Sequence, residues 1–128
     1  MKLNKLVINI VGAFFIFLTF FSSAAFSQTK LLMFEADGCY WCEVWHKEVG
    51  QVYEKSPEGK IAELQIVPLT NANQKQYDLN SRIVYSPTFV LVNNNKEISR
   101  IEGYPGADFF WGMLEKMIEN IENTEPNS

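Results

Sequence analysis

Two cysteines, one histidine and a shortage of basic side chains set the first limits on what this 128-residue chain can do. Lys and Arg together number 11 against 15 Asp and Glu, a formal net charge of −4, and the sequence holds no basic patch. Such a balance repels phosphates and excludes nucleic acid as a partner. Acidity otherwise reports solubility and names no partner of its own. No internal repeat or low-complexity segment is visible. Glu43, not a histidine, follows the second cysteine, which excludes c-type haem attachment. Long hydrophobic runs are confined to the N-terminus.

There, Lys2 and Lys5 precede an apolar stretch over 6–21 that only Asn9, Gly12 and Thr19 interrupt. Small residues follow at Ser22, Ser23, Ala24 and Ala25, and Ala25-Phe26-Ser27 offers small side chains on either side of Phe26, just before Gln28. Charged, apolar and small-residue regions in that order mark a secretory signal peptide, cut before Gln28. The apolar run is about 16 residues, short of the roughly 20 that span a membrane comfortably. A cleaved leader over 1–27 is therefore expected, with an uncut membrane anchor as the alternative. No cysteine stands at the cut, so no lipid-modified N-terminus is suggested. The expected organisation is a signal peptide over 1–27, one domain over 28–122 and a loose tail over 123–128. Export leads to the periplasm, an oxidising space where disulfides persist.

Both cysteines fall in the tetrapeptide Cys39-Tyr40-Trp41-Cys42. An apolar strand-like run over 31–36 precedes it and a helix-like run over 41–53 follows. The dithiol thus stands at the positive end of a helix, where exposed N–H groups favour a thiolate. A thiolate is the attacking species in thiol–disulfide exchange, and a second cysteine three positions on can resolve a mixed disulfide. A purely structural staple is the bland reading. Closing so short a loop, however, removes only roughly 2 kcal/mol of unfolded-chain entropy. His46 adds a second alternative: Cys39, Cys42 and His46 lie along one helical stripe and could hold copper(I) or zinc. That set supplies only three ligands, and no metal or other cofactor is expected.

The remaining chain alternates strand and helix signals. Residues 30–36 read as a strand buried on both faces. Trp41, Trp45, Val49 and Val52 form the apolar stripe of the first helix, which Ser56-Pro57-Glu58-Gly59 ends as a turn. Residues 61–69 read as a second strand with Leu64, Ile66 and Val67 inward. A short polar helix is expected over 74–83, then a strand over 88–92. Asn93-Asn94-Asn95-Lys96 turns the chain into a less regular antiparallel edge strand over 97–103. Phe109, Phe110, Met113, Leu114, Met117, Ile118 and Ile121 recur at helical spacing, with Asp108 as the N-cap. Trp45, Phe110 and Met113 are expected in the core; Trp41, between the cysteines, is expected partly exposed. The order is β-α-β-α-β-β-α. Strands joined through a helix should lie parallel and the hairpin pair antiparallel, giving a four-stranded mixed α/β sheet with helices on both faces.

Strand–CxxC–helix over 31–53, Ser86-Pro87-Thr88 opening the third strand, and Gly103 before the terminal helix together resemble the thioredoxin superfamily. The likeness covers essentially the whole segment after the leader. It implies a minimal thioredoxin fold without an additional N-terminal strand and helix, since only Gln28 and Thr29 precede the central strand. It also implies a thiol–disulfide oxidoreductase in which Cys39 attacks and Cys42 resolves. Pro87 would be cis, with its loop against the CxxC; the backbone of Ser86 would pair with an extended substrate segment, and Trp41 would help form an apolar docking surface. Leu31-Leu32-Met33-Phe34-Glu35, the helix through Lys55-Ser56-Pro57-Glu58-Gly59, Ser86-Pro87-Thr88-Phe89-Val90-Leu91-Val92 and Arg100-Ile101-Glu102-Gly103-Tyr104-Pro105-Gly106 further resemble the exported thioredoxin-like proteins of bacterial sulfur-oxidation gene clusters, the SoxS type. That likeness implies a monomeric reductant of disulfides or blocked thiols on exported proteins, a sulfur-carrier protein among them, recharged by a membrane electron donor. An oxidant of exported proteins is the alternative. One departure bears on mechanism. Thioredoxins carry a buried carboxylate six residues before the first cysteine, and Met33 stands there. Glu35, on the face of Met33, is the candidate substitute proton acceptor for Cys42.

Overall fold

The computed structural model describes residues 28–124; the expected leader and residues 125–128 of the expected tail lie outside them. β1 (Thr29–Glu35) leads into α1 (Tyr40–Trp45), which continues through a π turn (His46–Gly50) into α2 (Gln51–Tyr53). α3 (Pro57–Ile61), β2 (Glu63–Pro68), α4 (Asn71–Gln74), β3 (Thr88–Asn93), β4 (Lys96–Glu102) and α5 (Ala107–Thr124) complete the order. The sheet runs β2-β1-β3-β4, with β1 parallel to β2 and antiparallel to β3, and β4 antiparallel to β3. This is the four-stranded mixed sheet that the sequence leads one to expect. Among the described residues no helix is long and apolar enough to cross a membrane.

Alternation along the two central strands divides the core in two. Leu31 and Met33 of β1 join Phe89 and Leu91 of β3 on the face covered by α1 and α5. Leu32 and Phe34 join Val90 and Val92 on the other face, under Ile83, Leu69, Tyr77 and Leu79. Burial on both faces explains why 31–34 read as an unbroken apolar run. Trp45 is the centre of the first core: its ring lies 5.3 Å from Phe89, 5.7 Å from Phe110 and 6.2 Å from Tyr53.

Several expectations need correction. The first helix is not uniformly α. Seven residues after Trp45, Val52 would return to the core face of an ideal helix, but the π turn shifts the phase. Tyr53 is buried instead, and Val52 is exposed. Gly50 has a steric reason to be glycine there, since a Cβ would meet the Trp45 ring at 3.2 Å and His46 Nδ1 at 3.4 Å. The turn at 56–59 does more than end a helix: Ser56 caps α3, its Oγ accepting from Gly59 N–H at 2.9 Å. Ile66 is exposed, because β2 is an edge strand, while Val67 packs in the second core.

The polar helix expected over 74–83 is absent. A single turn, α4, precedes irregular chain in which Gln74 bonds both the amide and the carbonyl of Ile83. Asp78 pairs with Asn95 and Glu97 through the backbone, folding the segment back along β4. β3 runs antiparallel to β1, and so to β2, although strands joined through a helix are expected to lie parallel; only β1 and β2 do so. The Asn94 and Asn95 hairpin carries φ of 51° and 64°, and the expected irregularity of β4 takes the form of a register shift beside Leu91 and Val92. Asp108 lies inside the first turn of α5 rather than capping it, since the helix starts at Ala107. Phe110, Leu114, Met117 and Ile118 are buried; Phe109 and Met113, one step round the helix, are exposed. α5 also runs through Thr124, two residues into the segment read as tail.

β4 is tied down by one buried carboxylate. Glu97 accepts from Arg100 Nε at 2.6 Å and Nη2 at 2.7 Å, and from the Asn80 amide at 2.8 Å. Burial pushes its carboxyl up, but the Arg100 and Asn80 hydrogen bonds and the Arg100 charge together hold it below its ordinary value.

Candidate active site

β1 ends at Glu35 and the chain must turn at once into α1. Gly38, with φ of +70°, takes the left-handed conformation that makes the turn. Cys39 is the N-cap of α1: its Sγ accepts from the Cys42 amide at 3.2 Å, and its carbonyl accepts from the Glu43 amide at 3.2 Å. The cysteines are joined, Sγ to Sγ, with Cα atoms 5.3 Å apart. They differ in access. Cys39 is half-buried, whereas Cys42 is 3 % exposed and part of the first core. Trp41, 55 % exposed and packed edge-on against Tyr40, projects from the turn between them.

The Ser86–Pro87 peptide bond is cis. Ser86 Oγ accepts from the Ala36 amide at 2.8 Å and lies 3.3 Å from Cys42 Sγ; a disulfide sulfur has no hydrogen, so the hydroxyl donates. The loop before β3 thus touches the buried sulfur through a side chain, and Ser86 contributes more than the backbone role expected of it. Pro87 is buried, and its carbonyl accepts from the Gly103 amide at 2.7 Å. Gly103 opens the loop to α5, where the Tyr104 hydroxyl donates to Glu48 of the π turn at 2.6 Å. Burial first, then that hydrogen bond and the charges of Glu48 and Asp108, push the Tyr104 phenol above its ordinary value.

Beside the disulfide is a cleft of about 220 Å³ lined by Glu35, Ala36, Asp37, Gly38, Cys39, Cys42, Glu43 and His46. A larger depression of about 490 Å³ near α4 contains neither cysteine. Glu35 does share the face of Met33, as alternation requires. It points at His46, whose Nε2 is 2.8 Å from Glu35 Oε2. An ionised carboxylate only accepts, so the ring nitrogen carries the hydrogen in that state. His46 therefore turns to the strand end, and among the described residues no three His, Cys, Asp or Glu side chains form a metal-holding group. The Glu35–His46 contact was not legible from spacing, because strand and helix converge only through the Gly38 turn. The Ser86 hydroxyl had a visible signal, being a donor next to Pro87.

The geometry can carry disulfide exchange: one sulfur accessible at a helix N-terminus, one buried behind it, and a cis-proline loop alongside. The comparisons agree. A family model described as a thioredoxin-like domain matches residues 23–118. The structure is similar to the periplasmic thioredoxin SoxS from Paracoccus pantotrophus in its reduced form. The two share 38 % identity with a TM-score of 0.68, over 71 % of this chain and 96 % of that one. It is also similar to thioredoxin f2 of Chlamydomonas reinhardtii, at 16 % identity and TM-score 0.55 over 79 % of this chain and 83 % of that one. The thioredoxin of Fasciola hepatica stands at 17 % identity and TM-score 0.54, over 70 % and 81 %. At such identities these last two speak for the fold alone. No curated protein sequence matches the chain.

Proposed function

The chain belongs to the thioredoxin-like domain family and has the CxxC pair of a thiol–disulfide oxidoreductase, and from that premise we propose that it is an exported, periplasmic reductant of protein disulfides or blocked thiols. The observation that carries this reading is the unequal access of the two sulfurs in one N-capped CxxC. Cys39 meets the partner. Its thiolate attacks the partner's disulfide, forming a mixed disulfide and releasing one partner thiolate, which takes up a proton. The Cys42 thiol then loses its proton, its sulfur attacks Cys39 Sγ, and the second partner sulfur leaves as a thiol. Two electrons pass to the partner, and the Cys39–Cys42 bridge seen here is the product.

Ser86 and Pro87 hold an extended partner segment beside Cys39, and Trp41 gives it an apolar surface. Glu35 serves as the proton acceptor. The signal-peptide pattern over 1–27 and the similarity to a periplasmic thioredoxin support export. In that space the spent disulfide needs a recharging donor, for which a membrane electron carrier is suited. The partners are thiol- or disulfide-bearing exported proteins, a sulfur-carrier protein in the SoxS-type reading, and the reductase acts as a monomer.

Direction is tested by the reduction potential of the Cys39–Cys42 pair, equilibrated against glutathione and dithiothreitol mixtures. A value at or below about −220 mV places it with thioredoxin- and glutaredoxin-like reductants. A value near about −120 mV is that of a strong oxidant and overturns the direction proposed. Cys42→Ser tests the division of roles: it should trap a partner on Cys39, whereas Cys39→Ser should trap none.

A further inference from the structure

The resolving step poses a proton problem that the buried core does not solve. Cys42 must become a thiolate to attack, yet it is 3 % exposed and shares its cluster with Met33, which accepts no proton. Its other close neighbour, the Ser86 hydroxyl, is engaged with the Ala36 amide and is too weak a base. The open side of the cysteine pair is the cleft. Carboxylates face it from three places: Glu35 at the end of β1, Asp37 in the turn and Glu43 in α1. No Lys or Arg lines it. Lys47 is exposed, and Glu48 is turned to Tyr104. A thiolate forming among three carboxylates is disfavoured by like charge. The one positive charge this lining can supply is a protonated His46.

We propose that Glu35 and His46 form a proton-holding pair for the resolving step, receiving the Cys42 proton through water in the cleft. Their 2.8 Å contact fixes the imidazole against the strand end. The side chains are 30 % and 41 % exposed, so both are in reach of solvent. A polar cleft of about 220 Å³ has room for bridging water, at roughly 30 Å³ per molecule. In the base form of the pair, a neutral ring lies beside the carboxylate. The Cys42 proton passes through water and is held as imidazolium beside carboxylate. Cys42 Sγ then bonds to Cys39 Sγ, the Cys39–partner bond breaks, and the departing partner thiolate takes the proton back.

This inference rests on the disulfide-exchange reading and deepens it. The test separates the two steps in stopped flow, with a disulfide-bonded model peptide and the reduced protein, across pH 5 to 9. Cys42→Ser isolates the first step. In His46→Gln the resolving step should slow about tenfold or more near neutrality and change its pH profile, as expected for a displaced acid–base group. Glu35→Gln should slow the same step, while the first step changes less than about twofold in both variants. In His46→Ala, added imidazole should restore part of the resolving rate, which a merely structural role would not allow. Should either variant misfold, the other carries the test. Resolving-step profiles in the variants that coincide with wild type overturn the pair and leave the exchange reading standing. A wild-type protein that reduces no disulfide overturns both.

Discussion

Ser86→Ala should make the Cys42 thiolate harder to form, by an amount the geometry bounds. The hydroxyl donates to Cys42 Sγ at 3.3 Å while accepting from the Ala36 amide at 2.8 Å, so it is held in place from the strand side. In the reduced protein, against the neutral thiol sulfur, a weak acceptor, such a bond contributes at the low end of about 0.5–1.5 kcal/mol. Against a thiolate it becomes charge-assisted, at about 1.5–3 kcal/mol. The difference, about 1 kcal/mol, favours the ionised form of Cys42. Removing it should lower the thiolate fraction at a given pH about fivefold, at 1.36 kcal/mol per tenfold. The Ala36 amide can turn to water, its bond to Ser86 being exposed, so the fold should lose no more than about 1 kcal/mol. The assay is the pH dependence of alkylation in a Cys39→Ser background, where only Cys42 reports. Ser86→Thr, which keeps the hydroxyl, should follow the parent and Ser86→Ala should not. Identical profiles for all three would refute the argument that the hydroxyl stabilises the buried sulfur.

Two further outcomes are expected. Gly50→Ala should lower the urea midpoint although alanine favours a helix by about 1 kcal/mol. The new Cβ meets the Trp45 ring at 3.2 Å, and that ring, fixed against Phe89 and Phe110, cannot yield without overpacking at about 1–3 kcal/mol. Glu97→Gln should flatten the acid limb of the stability curve. Because the folded carboxyl is held below its ordinary value, its contribution is present above the unfolded value of about 4.3 and is lost as pH falls through the lower folded one. Unfolding midpoints between pH 2 and 6 read this directly, and an unchanged acid limb would contradict it.

The sequence reveals the fold where burial is symmetric and the chemistry where residues are adjacent. Leu31 to Phe34 are apolar because both faces of β1 are covered, and Cys39 to Cys42 are read in one glance because the helix begins within the dithiol tetrapeptide, with Cys39 as its N-cap. What escapes notice depends on phase or on long range. One extra residue in the π turn moves Tyr53 into the place expected for Val52, and periodicity at 3.6 residues cannot register it. The 74–83 segment has helix-compatible residues, but Gln74 spends its amide on the Ile83 backbone and Asp78 pairs with the far hairpin. Those partners are tertiary and outweigh a weak local propensity. Phe109 and Met113 fit the apolar pattern of α5 as well as Phe110 and Leu114 do; only the sheet beneath decides which stripe is covered.

The replacement of a buried acid by Met33 and the presence of a Glu35–His46 contact are parts of one physical arrangement. A carboxyl in the centre of β1 would lie among Leu31, Trp45, Phe89 and Leu91, where an unpaired charge costs several kcal/mol and the group resists ionising. Methionine removes that cost, and with it a titrating group whose ionisation would couple the stability of the core to pH. Under the proposal made above, proton exchange is placed where water can reach, in the cleft that Glu35 lines two residues along the same face at the strand end. The π turn enters here. It holds His46 against Glu35 on one side and directs Glu48 to Tyr104 on the other, so the helix that positions the dithiol is tied both to the cleft and to the loop behind Pro87. Glu97, whose carboxyl is held below its ordinary value, lies on the edge strand β4. If the pair works as proposed, the proton of the resolving step and the pH-dependent stability of β4 rest on different groups, so Glu97→Gln should leave the resolving rate unchanged while Glu35→Gln slows it.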